Sequence, residues 1–148
     1  MKMTSRSKIT TIEADDLLTF RVYPENKRLH FDVFVWPSRR RMREYLREAS
    51  PGLSVYQILA CVLWPTNEAD RARKTQLGEI HFNRQDPGSD TICHEATHAA
   101  LRWARYIGID VGEAGDGSSA PDSEELVAYA VGTIAHQLET VLVDKKYK

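Results

Sequence analysis

Cysteine is scarce: Cys61 and Cys93 are the only two in 148 residues. That excludes a disulfide-stapled scaffold and reads as two free thiols in a reducing compartment. Long apolar runs are missing too. The longest, Ile58 to Trp64, falls far short of the ~20 residues a membrane helix needs. The basic residues near Met1 are followed by no apolar stretch, so no secretory leader is read. Charge of one sign is equally absent, with 20 Lys+Arg against 21 Asp+Glu and a net charge of −1. Such a balance disfavours a polybasic wrap around nucleic acid or an acidic tail. Repeats and low-complexity tracts do not occur. The expectation is one soluble, cytoplasmic domain spanning residues 1–148, its first twelve residues loosely held, with no membrane as partner and nucleic acid disfavoured.

What is present is ordinary patterning. Leu18, Phe20 and Val22 alternate with Thr19, Arg21 and Tyr23, and Leu29, Phe31, Val33 and Val35 repeat the period. With Pro24 to Lys27 between them, the two stretches form a hairpin with a longer loop. Ser38 caps a helix to about Ala49, which places Met42, Tyr45, Leu46 and Ala49 on one face. Leu53 to Trp64, apolar on both faces, reads as a central strand. Leu77 to Asn83 reads as a short strand. A helix capped at Ser89 or Asp90 runs to Ile107, and a glycine-rich loop leads to a last helix over about Ser123 to Val143. The order β-β-α-β-β-α-loop-α implies an α+β fold: a small, mostly antiparallel sheet with one helix carrying the site and a C-terminal helix crossing it.

The informative stretch is His94-Glu95-Ala96-Thr97-His98. On a helix, positions four apart differ by about 40° around the axis and 6 Å along it, so both imidazoles leave one face. Two such nitrogens reach one metal ion at about 2.0–2.1 Å. Glu95, about 100° round from His94, reaches a metal-bound water without being a ligand, as a general base must. A shuffled chain of this composition would contain the motif about 0.01 times.

A catalytic zinc needs three protein ligands and an open position. Glu125, on the first turn of the last helix, is the candidate third ligand. Asp122-x-x-Glu125 also reads as a capping box, and Glu124 stands beside it. Glu125, Ala128, Tyr129, Gly132 and His136 share a face whose small residues would let this helix cross closely over the one bearing His94 and His98. His136, about 16 Å from Glu125 along the axis, is excluded from the same metal.

His94-Glu95-x-x-His98 followed by Glu125-x-x-Ala128-Tyr129 resembles the gluzincin branch of the zincin metallopeptidases, especially compact members of bacteria and their phages. The resemblance covers Leu77 to Val141. It implies a zincin-like fold in which His94, His98 and Glu125 hold Zn2+ and Glu95 activates water for peptide-bond hydrolysis. It also implies that Leu77–Asn83 is the sheet edge along which a peptide or protein substrate pairs. The alternative is a non-catalytic metal-binding or interaction protein of the same fold. Tyr129 and His81 are candidates for steadying an oxyanion. The plainer reading puts Tyr129 in the helix crossing and His81 on a solvent-facing edge.

Other features carry less. Arg39, Arg40, Arg41, Arg43 and Arg47 crowd the first helix. They read first as a solvated face balanced by Glu44 and Glu48, since no stacking aromatics are interleaved, and second as a phosphate or nucleic-acid contact, because cations at a helix N-terminus oppose its dipole. Cys93 reads as packed, and Trp103 and Ile107 as core.

Overall fold

A computed structural model describes residues 16–65, 74–86, 88–109 and 121–144. Four strands, β1 (Leu18–Val22), β2 (His30–Trp36), β3 (Cys61–Leu63) and β4 (Gln76–Asn83), join in the order β1-β2-β4-β3. Helix α1 (Arg39–Ala49) covers one face. Helices α2 (Ser89–Tyr106) and α3 (Pro121–Glu139) cover the other, and a π-turn over Thr140–Asp144 extends α3.

The hairpin forms with Leu18 opposite Val35 and Val22 opposite Phe31. Ser38 caps α1, its Oγ accepting from the Arg41 amide at 3.2 Å, and Met42, Tyr45, Leu46 and Ala49 are buried. The sheet is mixed. Its outer pairings are antiparallel, but β2 and β4 run parallel at the centre, because the chain crosses over through α1 and β3 before returning.

Two strand assignments therefore change. Leu53 to Trp64 is not a central strand: only Cys61–Leu63 pairs, and it lies at the sheet's rim. Upstream of it, Leu53, Val55 and Ile58 come in from a loop to pack under α1. Leu77–Asn83 is not the edge either; β4 is interior and buried along its whole length. Gly78 fits this interior position because a Cβ there would strike the Leu63 carbonyl oxygen.

Glu79 and His81 are tolerated inside because they are bonded. The Trp36 indole N–H donates to His81 Nδ1 at 2.9 Å, which leaves the His81 proton on Nε2, facing Glu79 Oε1 at 3.2 Å. The Tyr45 hydroxyl donates to the same oxygen at 2.9 Å. His81 is thus fully buried under α1.

The start of α2 is set from outside the helix. Asn83 Oδ1 accepts the Gln85 and Asp86 amides, and Asp86 takes a two-pronged bond from Arg39 at 2.7 and 2.9 Å. Backbone Gly88, rather than a side chain of Ser89 or Asp90, occupies the N-cap. At the far end Gly108, at φ +79°, closes a Schellman turn: its amide bonds to Arg105 O and that of Ile109 to Ala104 O. Trp103 is core as read, whereas Ile107 is exposed.

The Arg39 bond holds the Asp86 carboxyl below its usual value, against an opposing push from burial. A depressed folded value means this stabilisation is complete above the unfolded value of about 3.9 and is lost as pH falls below it. Asp86→Asn should therefore lower the urea midpoint at pH 7, with the gap to the parent closing toward pH 3. A gap that stays constant over that range would contradict the linkage.

The last helix is rotated from expectation. Val127, Ala130, Val131, Ile134, Ala135 and Leu138 face the sheet and α2. Glu125, Ala128, Tyr129, Gly132 and His136 all face outward, and a Cβ on Gly132 would meet open space. Burying the larger aliphatic stripe removes more apolar area from water than burying alanine and glycine would. Ser123–Val143 has the length and mean hydropathy, 1.4, of a membrane-crossing helix. Reciprocal bonds between Gln137 and the backbone of Tyr23, at 2.9 and 2.8 Å, tie it to the end of β1.

Candidate metal centre

Helix α2 buries Ile92, Ala96, Ala99, Ala100, Trp103 and Ala104 against the sheet. Four alanines on that stripe pack into the core shared by α2, α3 and the sheet. The opposite face carries His94 and His98 outward. Their Nε2 atoms stand 3.2 Å apart, with the rings 4.8 Å centre to centre and inclined at 72°. Two zinc–nitrogen bonds of about 2.05 Å at a tetrahedral angle would hold their nitrogens about 3.3 Å apart. The spacing is close to a tetrahedral bite and is equally that of a direct N–H···N hydrogen bond between the two rings. Burial, and secondarily the neighbouring His94, pushes the His98 imidazole below its usual value. That favours the neutral ring a metal requires.

Glu95 turns to the flank of α2 and is only 5% exposed, while the His94 side chain is 67% exposed. Glu95 Oε1 lies 3.9 Å from His94 Nε2. Burial raises its carboxyl to about 7. Beside it lies a cavity of about 190 Å³ between α2 and β3, lined by Ile58, Ala60, Cys61, Val62 and Trp64 along with the motif residues. A shallower one of about 460 Å³ adjoins it and is lined by Gln57 to Ala60, Asp90 and Thr91. At the far end the Arg102 guanidinium lies over the Trp64 ring at 5.8 Å. The sheet edge bordering the motif is thus β3, not β4. Cys61, on that edge, is pushed up to about 12 by burial and then by Glu95, so it stays a thiol and is no nucleophile at neutral pH. Cys93 is exposed rather than packed, since it leaves the helix away from the alanine stripe.

The structure brings His94, Glu95 and His98 together and does not bring Glu125 to them. Among the described residues no three His, Cys, Asp or Glu side chains gather in a metal-holding group. The cause is the rotation of α3: Glu125 lies nine residues, about 180°, from the buried Ile134. Glu124 falls about 80° from Ile134, on the side of Val131 and Ala135, and both glutamates are exposed. Asp122, the other half of the expected capping box, has its side chain outside the described residues. Neither oxyanion candidate is at the site. Tyr129 is 71% exposed on the outward face of α3 and not in a helix crossing. His81 is neither at a solvent-facing edge nor at the cavity, but in the Trp36–Glu79–Tyr45 network under α1.

Sequence reasoning missed the wall of this site, Ile58 to Trp64. The signal was present: an apolar run following a Pro-Gly stop suits a rim strand with an apolar approach loop as well as it suits a central strand. No known protein family, curated protein or solved structure significantly matches the chain.

Proposed function

We propose that this protein is a zinc-dependent metallopeptidase, hydrolysing peptide bonds in the groove between α2 and β3. The observation that carries the reading is the 3.2 Å spacing of the two Nε2 atoms with Glu95 on their flank. His94 and His98 would hold the ion. The third ligand is proposed to be Glu125, from the motif resemblance. Its outward position in the structure does not supply that contact, and Glu124 is its competitor. The ion, when bound, supplies Lewis-acid activation of water and of the scissile carbonyl. Glu95 takes a proton from the attacking water and returns it to the leaving amine, and its burial keeps bulk water from competing for that proton. The apolar cavity under Ile58 and Trp64 receives a side chain, with the substrate backbone running alongside β3.

Among the described residues no third ligand stands beside the histidines, and the second reading is metal binding without turnover. Elemental analysis of freshly purified protein tests the shared premise. About one zinc per chain is expected, lost in His94→Ala. A metal content of zero, or one unchanged in that variant, would remove both readings. Glu124→Gln and Glu125→Gln, assayed for zinc content, identify the third ligand as the one whose loss lowers stoichiometry.

A further inference from the structure

We propose that the arginine face of α1 docks the phosphate backbone of double-stranded nucleic acid. Arg39, Arg40, Arg43 and Arg47, with Glu44 and Gln85, line a single concavity of about 370 Å³. Arg39 is engaged by Asp86. The other three keep their charge available. Arg40 is exposed, and its 3.9 Å approach to Glu44 is a surface pair of little strength. Arg43 gives its Nε–H to the Ile58 carbonyl, a neutral acceptor. Arg47 is exposed on the last turn.

Three features select the partner. First, Arg39, Arg40 and Arg41 occupy the first turn, which holds no acidic residue. Cations there oppose the helix dipole, whereas an incoming anion is favoured by both the dipole and the guanidinium groups. Second, no apolar residue lines the concavity. A protein partner would find no pocket for the aliphatic or aromatic anchors that carry protein interfaces, while a phosphate backbone needs none. Every cation of this helix is arginine, whose planar fork binds phosphate in two places at once. Third, Arg40 to Arg47 spans about 10.5 Å along the axis, over which one strand of a duplex presents about three phosphates.

The helix's single aromatic, Tyr45, is 5% exposed and turned to the core. Unpaired bases would therefore find nothing on α1 to stack on, which points to a duplex held through its backbone without sequence preference. Charge balance over the whole chain hid this, because five arginines are gathered on one short helix against only Glu44 and Glu48 on it and Asp86 beside it.

The test is fluorescence anisotropy of a labelled mixed-sequence DNA duplex, about 20 base pairs long to exceed the footprint above, titrated with the intact chain at several salt concentrations. Three phosphate contacts give a slope of log K against log salt of about −2.7, or roughly 40-fold weaker binding at 200 mM than at 50 mM. Arg40→Gln/Arg47→Gln should cut the slope to about −0.9 and, with the two lines meeting at about 1 M salt, weaken binding at 50 mM roughly 200-fold, with an unchanged melting midpoint. Glu95→Gln, which disables the proposed hydrolysis, should bind as the parent does. No salt-dependent binding, or full binding by the double variant, would overturn the proposal. So would an equal loss from Lys27→Gln/Arg28→Gln on the β1–β2 loop, or tighter binding of the single strand. Stronger displacement by polyglutamate than by unlabelled duplex would replace the nucleic acid with an acidic protein partner.

Discussion

Replacing Glu95 by glutamine should lower peptide hydrolysis by about 10²- to 10⁴-fold, the contribution of a positioned general base, while zinc content stays at the parent value. The two readouts separate because of the geometry. Glu95 lies on the flank of α2, its Oε1 3.9 Å from His94 Nε2, and the histidine nitrogens lie on the outer face. The amide is nearly isosteric with the carboxylate and neutral, so it should be at least as easily buried where Glu95 is only 5% exposed. Stability should not fall, which guards against reading an unfolded variant as an inactive one. Parent-level hydrolysis in Glu95→Gln would defeat the mechanism. Zinc bound by the parent with no hydrolysis of any peptide in a random library would establish metal binding without turnover.

The second large effect is on stability. His81→Leu keeps the volume but leaves the Trp36 N–H without its acceptor and removes one of the donors to Glu79 Oε1. The unsatisfied Trp36 N–H costs about 1–3 kcal/mol and the lost hydrogen bond to Glu79 about 1 more, so a loss of about 2–4 kcal/mol is expected, or roughly 10 °C in melting midpoint. Tyr45→Phe, removing only the hydroxyl, should cost about 1–2 kcal/mol. Urea unfolding of the two variants measures both. A His81→Leu loss below that of Tyr45→Phe would show that the imidazole does not organise the network. The expected order reflects its position: His81 is bonded at both ring nitrogens, and its ring stacks on Phe34 at 5.0 Å.

Elements whose period had one interpretation were legible. The hairpin alternates cleanly, and α1 announces itself by Ser38 and a four-residue apolar stripe. The motif was legible because its geometry is local: four residues of helix suffice to set two nitrogens on one face. The swap of β3 and β4 was not. An apolar run through Trp64 looks more interior than a strand containing Glu79 and His81, and the partners that let those two be buried lie 34 and 45 residues away. On α3, no charged residue marks the outward side between Leu126 and Leu138. The small-residue stripe and the aliphatic stripe then competed, and only packing on a real sheet chose between them. Glu125's outward position follows from that choice, which a reading by helix crossing did not anticipate.

The brevity of β3 has a consequence for how the molecule keeps to itself. A rim strand of three residues, Cys61–Leu63, offers a neighbouring copy too few backbone groups to zip onto. Exposed strand edges are templates for runaway pairing in proportion to their length and flatness. With its three residues at most 4% exposed, this rim gives a second copy little to start from.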